Sequence, residues 1–127
     1  MTVIPMAQEH IPALAALERT CFAVPWSAAA LVEELENPHA AFQVAVDGTG
    51  QVLGYVGCYC VADEGQIANV AVAPAARRQG VARALLAALE RLAAERGLSR
   101  LTLEVRVSNT PAIALYEGAG FVRDGVR

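Results

Sequence analysis

Nowhere in this 127-residue sequence does an apolar run reach the eighteen or so residues of a membrane span, because Glu, Arg or Gly interrupts each one. The opening "MTVIPMAQEH" has neither a basic lead nor an apolar signal core, so a cytoplasmic protein is expected. There is no CxxC pair. The cysteines Cys21, Cys58 and Cys60 are odd in number, which argues against a disulfide framework or a zinc site, and no metal is expected. Cys58 and Cys60 fall on one strand face, where thiols behave as small apolar groups. A Lys/Arg tract is also lacking, and the net charge is -3. Broad nucleic-acid binding is thereby disfavoured, as is membrane contact, while a basic peptide stays open as a substrate. His10 and His39 lie far in sequence from the other candidate groups and are expected to face solvent.

What the chain does have is apolar periodicity. With 55% hydrophobic residues it is long enough for one compact core and too short for two ordinary domains, so one domain over 1–127 is expected. Residues 2–6 read as a strand, and Ile11, Leu14, Leu17 and Cys21 then recur at helical spacing. Ser27 is placed to cap a second helix that ends near Asn37-Pro38. "AFQVAVDGTGQVLGYVGCYCV" is two apolar runs about a turn, and "GQIANVAVAP" is a third hairpin-connected strand stopped by Pro74. Val81, Leu85, Leu89 and Leu92 mark a long helix closed by Gly97. "RLTLEVRV" alternates as a strand, expected to be central with both faces covered by helices so that Glu104 must be paired, wet or functional. "NTPAIALYEGAGF" is a helix capped at Thr110-Pro111, and a last strand begins at Phe121. The order is β α α β β β α β α β, a mixed α/β fold.

The stretch Arg77-Arg78-Gln79-Gly80-Val81-Ala82 sits between a strand and the long helix. Such a junction puts unsatisfied N–H groups and the positive end of the helix dipole at one spot, suited to a phosphate. Neither GxxxxGK[ST] nor GxGxxG is present, so ATP and dinucleotide readings lose their main support. An ordinary helix start with solvated arginines explains the stretch equally well on its own.

Taken together, "NVAVAPAARRQGVARALL" and "LTLEVRVSNTPAIALYEGAGF" resemble the GNAT superfamily of acyl-CoA-dependent N-acetyltransferases. The likeness runs from about Ile4 to Arg123 and is greatest to ribosomal-protein-alanine N-acetyltransferases of the RimI type, through "VPWS", "NVAVAP", "LEVRVSN" and "ALYEGAGF". It implies a splayed central sheet flanked by helices, with acetyl-CoA as cosubstrate. Arg77 to Arg83, that is Arg77, Arg78, Gln79, Gly80, Val81, Ala82 and Arg83, would cradle the diphosphate. Main-chain groups of Val70 and Val72 would hold the pantetheine, and Asn109 would bond the pantetheine or diphosphate region. Glu104 is implied as general base and Tyr116 as the acid that protonates the leaving thiolate. Each has a plainer alternative: Glu104 an ion pair with Arg106 or Arg77, Tyr116 a core aromatic, Asn109 a turn residue.

The implied acceptor is a protein N-terminal amine, held in a groove built partly by the first two helices and the final hairpin, with Trp26 either a groove wall or a buried anchor. A GNAT acting on lysine or a small amine is the alternative enzyme, and a non-catalytic acyl-CoA-binding module the alternative of another class. No Ser-His-Asp order has convincing spacing, and direct transfer is expected. Family members continue beyond the "GF" strand into a final antiparallel strand. The expectation here is an unmade sheet edge, hence a monomer or an edge-paired dimer.

Overall fold

The computed structural model describes residues 1–105 and 108–122. Five strands form one sheet in sequence order: β1 (Thr2–Pro5), β2 (Gln43–Val46), β3 (Val52–Val61), β4 (Glu64–Val72) and β5 (Arg100–Leu103). The first three pairings are antiparallel, and β4 with β5 is parallel. A parallel pair needs a long crossover, supplied here by α3 (Val81–Arg96). Helices α1 (Ile11–Cys21) and α2 (Ala28–Glu36) precede β2, and α4 (Thr110–Gly118) follows β5.

Alternation along the strands divides the core. Val44, Val46, Tyr55 and Ala71 meet Ile11, Leu14, Leu17 and Leu31 from α1 and α2. Ala45, Val56, Cys58 and Ile67 meet Val81, Leu85, Leu86 and Leu89 from α3 on the opposite face. Leu14, Leu31, Leu85 and Leu89 are fully buried, each contributing about 1.5–3 kcal/mol. The caps fall where sidechain chemistry demands. Ser27 Oγ accepts from the Ala30 N–H at 3.1 Å, and Gly97 closes α3 at φ +69°.

Close approach of α3 to the sheet depends on Gly54. A Cβ there would lie 2.6 Å from the Ala71 carbonyl oxygen and 3.1 Å from Val81 Cγ1, so neither strand nor helix start has room for it. Gly54→Ala is expected to destabilise the fold by about 1–3 kcal/mol through overpacking, read as a lower urea midpoint.

Three expectations shift. His10 is buried rather than solvated, because its Nδ1 accepts the Ala7 N–H at 2.9 Å in the turn before α1; His39 is exposed as expected. The cap of α4 is Asn109, one residue before Thr110, since Asn109 Oδ1 accepts from the Ala112 N–H at 3.3 Å. β5 ends at Leu103 and forms the sheet edge among the described residues, so Glu104 is not on a central strand with both faces covered. The strand expected from Phe121 falls mostly on residues 123–127, outside the described residues, and Phe121 and Val122 themselves are not in a strand.

Candidate active site

β4 and β5 pair only from Glu64↔Arg100 to Ile67↔Leu103. Beyond that point β4 continues to Val72 with its outer edge unpaired among the described residues, while β5 has ended and Glu104 and Val105 no longer pair with it, so the chain parts from β4 in a fork. A bulge marks the crotch. Gly57 opposes Asn69 and Cys58 opposes Ile67, leaving Ala68 as the extra residue. The bulge resets the alternation, so Ile67 lies on the α3 face and so do Val70 and Val72. Antiparallel pairing decides where the main chain points. Because the Ala73 N–H bonds the Leu53 carbonyl at 2.8 Å, the alternate residues Val72 and Val70 direct their N–H and C=O groups away from β3, into the fork. These groups offer a further strand's worth of pairing to an extended amide-bearing ligand.

The fork opens toward the start of α3. From Arg78 to Arg83 the main-chain N–H groups have no acceptor among the described residues; the first helical bond is Ala84 N–H to Gly80 carbonyl at 3.0 Å. Gly80 is the N-cap with φ +79°, no side chain caps the helix, and nothing lies within 4 Å of where a Cβ would be. The glycine is therefore required by its left-handed backbone, and the space above it is open for an approaching group. Arg78 also takes a left-handed conformation, φ +63°, which costs about 1–2 kcal/mol in a non-glycine residue. Consecutive free amides at a helix start form an anion cradle.

Side chains of the stretch divide in their tasks. Val81 is buried against the sheet, so only its N–H serves the cradle. Arg83 donates to the Gly118 carbonyl at 3.2 Å and fastens α4 to α3. Arg77 reaches Cys21 Sγ at 3.8 Å, and Gln79 donates to the Ala75 carbonyl at 3.3 Å. Arg78 is exposed, and Ala82 half-buried.

Glu104 and Tyr116 line one open cleft of about 1340 Å³, together with Ile67, Ala68 and Leu103 at the crotch. Glu104 is exposed, in the first position after β5 ends. Its expected pairing with Arg106 lies outside the described residues. Tyr116 projects from α4 onto the α3-side core, edge-on to Phe121 with ring centroids 6.0 Å apart. Burial raises its phenol above the ordinary tyrosine value, and its hydroxyl has no hydrogen-bond partner among the described residues. Asn109 spends Oδ1 on the cap of α4, which leaves its amide Nδ2–H groups without an acceptor among the described residues. The structure thus brings Val70, Val72, Val81 and Tyr116 into one cluster and Glu104 with Tyr116 onto one cleft, while Arg83 and Asn109 act through α4.

One group escaped the sequence reading. Glu18 is fully buried, and its carboxylate accepts from the Trp26 N–H at 2.8 Å, the Tyr55 hydroxyl at 2.7 Å and Asn69 Nδ2 at 3.3 Å. Its signal was a carboxylate inside the Leu14, Leu17, Cys21 stripe. Among the described residues no three His, Cys, Asp or Glu side chains are placed to hold a metal ion, and no helix is long and apolar enough to cross a membrane.

Known proteins share this fold. Residues 11–121 match the acetyltransferase (GNAT) family. A [ribosomal protein bS18]-alanine N-acetyltransferase of Escherichia coli (strain K12) is 35% identical over 126 residues, spanning 99% of this chain and 84% of its own. The crystal structure of the Escherichia coli ribosomal-protein-S18-alanine N-acetyltransferase superposes with a TM-score of 0.88 at 33% identity, covering 98% of this chain and 79% of that one. The structure of AAC(6')-Iy in complex with the bisubstrate analogue CoA-S-monomethyl-acetylneamine shares the fold with a TM-score of 0.85 at 21% identity, over 99% of this chain and 94% of that one. With the forked sheet, the open helix start and the match over most of its length, the chain belongs to the acetyltransferase (GNAT) family.

Proposed function

We propose that this acetyltransferase moves the acetyl group of acetyl-CoA directly to the N-terminal α-amine of a protein chain, of the ribosomal-protein-alanine type. The observation that carries the reading is the run of amides from Arg78 to Arg83 that have no acceptor among the described residues, set at the mouth of the fork whose cleft holds Glu104 and Tyr116. The named activity of the Escherichia coli relatives supports the acceptor class.

The residues fit coenzyme A by chemistry. Free amides and a helix dipole suit a diphosphate, and the outward groups of Val70 and Val72 suit the two pantetheine amides. When bound, acetyl-CoA supplies an activated thioester carbonyl. An α-amine has a reference pKa near ~8, so at neutral pH most of it is protonated and unreactive. Glu104 takes that proton, directly or through water, and frees the nitrogen lone pair to form the C–N bond. An N–H from β4 donates to the carbonyl oxygen as negative charge builds there. As the C–S bond breaks, Tyr116 gives its proton to sulfur. Because burial raises its phenol, Tyr116 keeps that proton across the neutral range.

Mass spectrometry of a peptide panel incubated with acetyl-CoA tests the reading. The panel includes an Ala-Arg-leading peptide and the same peptide with its α-amine blocked. Acetylation of the free α-amine, lost in the blocked form, is expected; acetylation only at lysine side chains overturns the acceptor assignment.

A further inference from the structure

Glu18 presents a problem that the transfer mechanism does not use. A carboxylate at 0% exposure is normally neutralised by a cation, yet its three partners are neutral donors from three separate elements. Trp26 belongs to the loop between α1 and α2, Tyr55 to β3, and Asn69 to β4 directly after the bulged Ala68. Asn69 Nδ2 also lies 3.3 Å from the Tyr55 hydroxyl, closing the cluster on itself. The network therefore ties the loop over 22–27 to the crotch of the fork.

That loop is well placed to meet an acceptor. It leaves α1 at Cys21, whose Sγ donates to the Val72 carbonyl at 3.6 Å on the open edge of β4. Its residues Ala23, Val24 and Pro25 are exposed, with Val24 at 88%. Trp26 is half-buried, its ring 6.0 Å from that of Phe42, so packing holds the ring while Glu18 holds the main chain.

We propose that Glu18, acting with Tyr55 and Asn69, is a positioning residue that sets the loop over 22–27 against the bulge at the fork and so shapes the acceptor side of the site. This rests on the acetyl-transfer reading above but not on which amine is the acceptor. The carboxylate is suited to the task because it accepts several hydrogen bonds at once. An amide in its place would turn an N–H toward donors. Hydrogen bonds to a charged group are also about twice as strong as neutral ones, which holds a short loop in one conformation.

The experiment compares Tyr55→Phe, which removes one hydroxyl and keeps the ring, with Glu18→Gln. Trp26 is the one tryptophan of the sequence, so its fluorescence reports the loop without reference to turnover. Both variants are expected to shift Trp26 emission to the red and to raise the acceptor KM about tenfold, as loss of one charged hydrogen bond implies. The acetyl-CoA Kd by calorimetry stays at the wild-type value. A folded variant with unaltered Trp26 emission and acceptor KM overturns the proposal, as does an equal loss of acetyl-CoA affinity. If Glu18→Gln does not fold, Tyr55→Phe decides; if neither folds, the network serves folding and the proposal fails. Where the wild type acetylates a lysine or small amine instead, KM is measured with that amine. The acceptor assignment then falls while the positioning test still reads.

Discussion

Glu104→Gln is expected to lower kcat by about 10²–10⁴-fold and to leave acetyl-CoA affinity in place. Gln preserves shape and hydrogen-bonding reach and loses only the capacity to take a proton. Glu104 is exposed, just beyond the last paired residue Leu103, so the change disturbs no packed element. Cofactor affinity is expected to rest elsewhere, on the amides from Arg78 to Arg83, which have no acceptor among the described residues, and on the edge of β4. The pH profile supplies an independent check. Without a base, turnover depends on the small fraction of acceptor that is already neutral, so residual activity should climb with pH up to the amine's own pKa near ~8, more steeply than in the wild type. Tyr116→Phe should be milder, because water can protonate a departing thiolate, whose acid has a pKa near ~8.5. A Glu104→Gln enzyme that loses acetyl-CoA affinity in step with kcat, or keeps the wild-type rate, removes Glu104 from the role of base.

Local chemistry was readable wherever a residue acts through its neighbours in sequence. The spacing of Val81, Leu85 and Leu89 gave α3, Gly97 its end, and Ser27 the start of α2, because helix periodicity and caps are short-range. The anion cradle was equally local, being a strand, a glycine turn and a helix in succession. The fork was implied only by resemblance, since it depends on where β5 stops pairing with β4, thirty-six residues earlier in the chain, from Glu64↔Arg100 onward. No pattern within either strand announces the bulge at Ala68, which only the opposite strand defines. For the same reason His10 and Glu18 were misread or passed over. A histidine whose acceptor nitrogen is taken by Ala7, and a carboxylate whose donors come from Trp26, Tyr55 and Asn69, look like solvated polar residues until the chain folds around them. Glu104 illustrates the opposite case. Its role was implied by the motif around it, but among the described residues it follows the edge strand β5 rather than lying on a central one, because edge or central position is a property of the whole sheet.

The cradle can be filled by the protein itself. Gly80→Asp is expected to weaken acetyl-CoA binding more than about 10²-fold while the fold survives nearly unchanged. Asp is among the few residues that enter the left-handed region readily, so the φ of +79° at this N-cap costs it about 1 kcal/mol. Against that cost, an Asp carboxylate at the N-cap accepts from the free N–H groups of the first turn and lies at the positive end of the helix, contributing a few tenths of a kcal/mol or more over Gly. Open space of at least 4 Å around the Cβ position means that no packing is lost. The two effects nearly cancel, and the urea midpoint should move little. Binding does not enjoy that cancellation. The new carboxylate occupies the amides that a diphosphate would use and repels it; losing two charge-assisted hydrogen bonds at about 1.5–3 kcal/mol each already exceeds a hundredfold. Gly80→Asn separates the causes, since it adopts the same backbone and caps the same amides without charge, and its affinity should fall between those of the wild type and the Asp variant. Added salt should recover part of the Asp loss and none of the Asn loss. If calorimetry shows Gly80→Asp binding acetyl-CoA as tightly as the wild type, the diphosphate does not sit at the start of α3, and the cofactor must enter the fork from another side.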